Sequence, residues 1–123
     1  MQSDWGSSRA LRHRAGIRGA WQTRGVWIGW IEFDVLLGDV HSLKEKRSVI
    51  RPLIADLSRR TEAAAAEVGH HDLHRRALIG MSVVASDAAH VREVLERADH
   101  QFAEAHPEIT ILSARQGLHS SED

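Results

Sequence analysis

At 123 residues, with a net charge of −1 and 42% hydrophobic residues, the chain is sized for one domain with a modest core. It has no cysteine, which excludes disulfides, thiolate metal sites and thiol nucleophiles and fits a reducing compartment. No apolar run approaches the ~20 residues that cross a bilayer, so no membrane role is expected and the cytoplasm is the expected location.

Charge is unevenly placed. Residues 1–24 carry Arg9, Arg12, Arg14, Arg18 and Arg24 against Asp4 alone, with Trp5, Leu11, Ile17 and Trp21 scattered among Gly and Ser. Such a stretch lacks periodicity and lacks the apolar core of a secretory signal, and it reads as a disordered, Arg-rich extension or a basic arm. Residues 25–123 form the domain. They hold 11 basic and 16 acidic residues, a balance that argues against broad nucleic-acid affinity and confines any such binding to a local patch.

Val26 to Leu37 alternates as a strand. Trp27, Gly29, Ile31, Phe33, Val35 and Leu37 share the face better suited to a core, and Val26, Ile28, Trp30, Glu32, Asp34 and Leu36 share the other. Asp39 to Leu57 then organises the chain. Ser42 and Glu45 have the spacing of a capping box, and Ile50, Leu53, Ile54 and Leu57 recur at helical intervals, which predicts a helix from Leu43 to about Arg60. Pro52 falls well inside it and predicts a bend near Ser48 or a tightened first turn.

Glu62 to Val68 is contested. The alanines Ala63 to Ala66 favour a helix by propensity, whereas Thr61 and Gly69 bracket the segment tightly and the topology asks for a short edge strand. Gly69 to Arg76 follows as a loop, and Ala77 to Ser86 as a strand with Ile79, Met81, Val83 and Ala85 on one face. Asp87 is placed to cap a second helix, striped by Val91, Leu95, Ala98 and Phe102 and ended by Pro107. Arg92 with Glu96, and Glu93 with Arg97, can pair across its turns. Glu108 to Arg115 makes a last strand, and Gly117 to Asp123 a polar tail. The order strand, helix, strand, strand, helix, strand is the split βαβ pattern of an α+β ferredoxin-like sandwich. With right-handed crossovers, both helices lie on one face of a four-stranded antiparallel sheet of order 4-1-3-2.

The residues carry a resemblance. Ile31 to Leu37, the run His41-Ser42-Leu43-Lys44-Glu45-Lys46-Arg47, Ala66-Glu67-Val68 with Asp72-Leu73, and Ser86 to Val91 resemble the YlxP-like family of small uncharacterised bacterial proteins. The match covers roughly residues 26–120, and its most specific part is Ser-Leu-Lys-x-Lys-Arg. The resemblance implies a ferredoxin-like fold without an established activity, and genes of such proteins that lie among translation genes, which suggests RNA or ribosome contact by association. The chain departs from the pattern at His74, where tryptophan is frequent, at the Ala63 to Ala66 run, and in its first 24 residues.

Two surfaces stand out as candidates. Lys44, Lys46, Arg47 and Arg51 on the first helix form a basic ridge that can hold phosphates of RNA or ribosomal particles, although Asp39, Glu45 and Asp56 lie near in sequence. Lysines close to a helix start oppose the macrodipole, a small cost that hints at purpose. The open sheet face offers Val26, Ile28, Trp30, Leu78, Val84 and Leu112, an apolar patch larger than monomers usually expose, and predicts a partner: a second copy in a homodimer or the N-terminal segment. The third-strand stretch Leu78 to Val84 has no aromatic, so base stacking on the sheet is disfavoured. His70, His71, Asp72 and His74 match no strong metal-ligand spacing and read as a polar turn. Glu32 and Asp34 share a face, but no nucleophile or phosphate loop accompanies them, and His41 reads as a neighbour of the cap. No cofactor, metal or catalytic residue is expected, and the chain reads as non-enzymatic.

Overall fold

The structure is a computed structural model and describes residues 25–122. The expectation for residues 1–24 lies outside the described residues. The elements are β1 (Trp27–Leu36), α1 (Leu43–Arg60), β2 (Ala64–Gly69), β3 (Arg76–Ala85), α2 (Ala88–Ala105) and β4 (Thr110–Ser120). Every neighbouring pair of strands is antiparallel and the sheet runs β2-β3-β1-β4, the ferredoxin-like order.

Period-two alternation decides the buried side. Ile31, Phe33 and Val35 of β1 and Ala77, Ile79, Met81 and Val83 of β3 are buried beneath both helices. The helices answer with Ile50, Leu53 and Leu57 from α1 and Val91, Val94, Leu95, Ala98 and Phe102 from α2. Phe33 and Phe102 meet at the centre, with ring centroids 4.6 Å apart and planes tilted by 53°. Gly29 sets how closely α2 approaches β1, because a Cβ there would stand 2.3 Å from Val91 Cγ1 and 3.0 Å from Leu95 Cδ1.

The caps follow the sequence. Glu45 N donates to Ser42 Oγ at 3.0 Å, while the Glu45 carboxylate reaches one residue further back than the usual box and accepts from His41 N at 2.6 Å. Asp87 caps α2 through the amide of Ala89, and α2 gives way at His106, just before Pro107. Helix α1 runs through Pro52 to Arg60 without interruption, so the irregularity expected near Ser48 does not break it, and Ser48 Oγ donates to the Glu45 carbonyl. The alanines form the edge strand. Ala63 and Ala65 turn toward the helices and Ala64 and Ala66 toward the open face, so tertiary pairing with β3 overrides helix propensity.

One expectation fails. Gly117 to Ser120 is not a polar tail but the second half of β4, which pairs along the whole of β1 from Leu36↔Thr110 to Trp27↔Ser120. A ten-residue β1 leaves backbone groups to satisfy on both edges, and β4 pairs along one edge while β3 pairs along the other. A bulge between Asp34 and Val35 leaves Leu112 without an opposite residue.

An ion pair ties α2 to the start of β2. His90 Nε2 lies 2.9 Å from Glu62 Oε2, with Glu93 and Arg97 around it. The hydrogen bond that His90 donates to Glu62, then the Glu62 charge, raises the His90 pKa above its ordinary 6.5, and the same bond lowers Glu62 below 4.5. The histidine therefore stabilises below pH 6.5 and loses its contribution as pH rises through its raised value. Glu62 stabilises above pH 4.5 and loses its contribution as pH falls through its lowered value. In urea unfolding across pH, the deficit of His90→Gln relative to the parent chain should be largest between about pH 4.5 and 6.5 and shrink above it. A constant deficit at all pH values would show that the pair has no role in stability.

Candidate functional site

The first helix does not present the ridge as expected. Lys44, Arg47 and Arg51 recur at three and four residues, all exposed, and among the described residues none of them makes an ion pair. Lys46 is the correction. It is 3% exposed, and its ammonium lies 2.8 Å from the His70 carbonyl, 2.7 Å from the Leu73 carbonyl and 2.7 Å from Glu67 Oε2. It cannot hold a phosphate. It closes the β2–β3 turn instead, where His70 takes a left-handed conformation with φ 59°. The Lys46–Glu67 contact is an ion pair without hydrogen-bond alignment, since among the described residues the buried Oε2 has no aligned donor.

The signal was present. Lys46 lies four residues before Ile50, so 46, 50, 53 and 57 form one stripe pointing at the core. Glu67 falls on the helix-facing side of β2 after Ala63 and Ala65, where a carboxylate needs a cation.

The acids near the ridge are engaged elsewhere. Asp39 pairs with His41 at 2.6 Å. Asp56, nearly buried, accepts from Arg59, Arg60 and His106 at 2.8, 2.6 and 2.9 Å, and the Arg60 bond chiefly holds its carboxyl below the ordinary carboxylate value. This cluster joins the second half of α1 to the end of α2 and stays clear of Lys44 and Arg51.

The open sheet face has relief that residue types alone did not reveal. Paired rows run across it: Ala64, Ser82, Trp30, Gly117, and beside it Ala66, Gly80, Glu32, Arg115. Over β2 and β3 the side chains are small and leave a trough of about 370 Å³ bounded by Trp30 and Val68. Over β1 and β4 the Trp30 indole covers Gly117, where a Cβ would fall 2.4 Å from its Nε1. Trp30 Nε1 lies 3.3 Å from His119 Nε2, and the Arg115 guanidinium is 5.9 Å from the ring centre. Of the expected patch, Val26, Ile28, Val84 and Leu112 are exposed, Val84 most at 65%, whereas Trp30 and Leu78 are half-buried. Leu112 sits at the bulge on the edge strand, away from the centre of the face.

Glu32 and Asp34 share this face, and each is held by an arginine. Arg115 Nη2 donates to Glu32 at 2.7 Å, and Arg76 grips Asp34 through two bonds of 2.9 and 2.8 Å, with His70 3.5 Å away. The Arg76 bond keeps the Asp34 carboxyl below its ordinary value. Neither carboxylate is poised as a general base. His70, His71, Asp72 and His74 do not converge, and among the described residues no three His, Asp or Glu side chains gather as metal ligands. His41 packs beside Arg75, with Arg75 Nη2 3.4 Å from His41 Nδ1. No helix among the described residues is long and apolar enough to cross a membrane.

Two helices over a 2-3-1-4 antiparallel sheet, with an open opposite face, define a ferredoxin-like α+β sandwich. Residues 28–116 match the family described as "Protein of unknown function (DUF503)", and the chain belongs to that family. It is similar to "Uncharacterized protein YlxP" of Bacillus subtilis (strain 168), with 29% identity over 82 residues that cover 67% of this chain and 88% of that one. Among solved structures it is similar to SnoaB, a cofactor-independent oxygenase from Streptomyces nogalater, at 16% identity and a TM-score of 0.42, covering 79% of this chain and 94% of that one.

Proposed function

We propose that the chain is a non-enzymatic accessory protein of the cytoplasm that contacts RNA, free or in ribosomal particles, through Lys44, Arg47 and Arg51. The observation that carries this reading is the contrast among the cations. Lys46, Arg59, Arg60, Arg76, Arg97 and Arg115 pair with carboxylates within the fold, whereas among the described residues the three clustered on the exposed stripe of α1 do not; Arg75, which donates to the Val40 carbonyl, and Arg92 on α2 also lack an ion pair but stand apart from them. Cations left in water on one helix face supply the salt-dependent attraction that dominates binding to a phosphate backbone. The reading as a non-enzyme is supported by the arginine-bound state of Glu32 and Asp34.

The test is a salt series of binding to structured RNA and to ribosomal particles, with the parent chain and the triple variant K44E/R47E/R51E. The three side chains are exposed, so the fold should survive. The expected result is at least tenfold weaker binding and a salt slope shallower by about two to three units, near 0.7–0.9 per lost phosphate contact. Equal binding by both proteins at every salt concentration would refute the reading.

A further inference from the structure

We propose that the open sheet face docks a second copy of this chain, with the Trp30 platform of each copy seated in the trough of the other. Three observations carry it. First, the relief is self-complementary. The trough lies over β2 and β3 and the platform over β1 and β4, on opposite sides of the sheet's midline. A two-fold axis along that midline, parallel to the strands, sets platform against trough at the same height, because Trp30, Ser82 and Ala64 occupy one row. The indole then meets the small side chains of Ala64, Ala66 and Ser82, beside the Val68 side chain that leans over Gly80.

Second, the area suffices. Strands of 10, 6, 10 and 11 residues, spaced ~4.8 Å apart and rising ~3.3 Å per residue, span roughly 590 Å² per copy, and two such faces come to about the lower limit of specific interfaces, ~1,200 Å² in total. Two sheets packed face to face, ~10 Å apart, are a standard way to bury such surfaces.

Third, covering the face strands no charge. Glu32 is already paired with Arg115 and Asp34 with Arg76, both within the same copy. Of the other exposed groups on this face, Ile28 and Val84 on the central strands and Val68 on β2 are apolar, and Ser82 on β3 is polar but uncharged.

The experiment uses the full chain in sedimentation equilibrium from micromolar to hundreds of micromolar protein, beside two variants, Ala66→Arg in the trough and Val84→Arg on the rim. Both positions are exposed, so neither substitution disturbs the core, and circular dichroism checks the fold. The expected result is a parent dimer and at least ~100-fold weaker association in each variant, because an unpaired guanidinium would be buried. A parent chain that stays monomeric throughout would overturn the proposal, as would dimerisation that both arginine variants leave unchanged. The latter result would place association on another surface, such as the outer edge of β4. Loss of the dimer in Ala66→Arg with retention in Val84→Arg would keep the trough as the contact and support the proposal.

Discussion

Replacing Lys46 with methionine should lower the unfolding free energy by about 3–5 kcal/mol, as expected when one partner of a buried ion pair is removed. Three acceptors lose their only shared cation: the His70 and Leu73 carbonyls and Glu67 Oε2. Among the described residues Glu67 Oε2 has no other donor to turn to. The double variant K46M/E67M removes the stranded charge and should recover part of the loss. It should not recover all of it, since the two carbonyls remain without their ammonium donor. Urea unfolding of the three proteins measures this directly. A loss below about 1 kcal/mol in the single variant would mean that the ammonium is solvated and the turn is held by something else. The β2–β3 turn should also open locally, seen as faster amide exchange around Leu73, whose N–H donates to His70.

Phe102→Ala should cost a similar amount, about 3–5 kcal/mol, for a different reason. The ring is fully buried, 4.6 Å from Phe33, and it also turns an edge toward His106 at 6.0 Å. Its removal leaves a cavity between α2 and the middle of the sheet, bounded by strands that cannot collapse into it without breaking register. Phe102→Leu retains most of the volume and should cost less than half as much. Equal midpoints for the parent and Phe102→Ala in urea would mean that the centre of the core lies elsewhere.

The fold was legible because its signals are periodic and agree with one another. Ile31, Phe33 and Val35 alternate, Val91, Leu95, Ala98 and Phe102 recur on one helical face, and Ser42 and Asp87 mark both helix starts. Three features were missed, two of them because tertiary context sets them. The strand character of Gly117 to Ser120 comes from β1, whose exposed edge requires a partner, and not from its own residue types. Lys46 looked like one more member of a basic run, although its place four residues before Ile50 put it on the buried stripe. The trough depends on which residues stand opposite one another across three strands, a register that composition does not encode. Lys44, Arg47 and Arg51 are as exposed as the sequence suggested, because nothing on their helix face repeats with the core stripe.

The two ends of the described chain lie at one corner. Ser121 N donates to the Val26 carbonyl at 2.8 Å, and Val26 N donates to Ser121 Oγ at 2.9 Å. A polypeptide entering at Gly25 and leaving at Glu122 therefore re-emerges almost where it came in. The unit can be spliced into a surface loop of a host protein without prising that loop apart, and a short linker across this corner would let the sequence be circularly permuted.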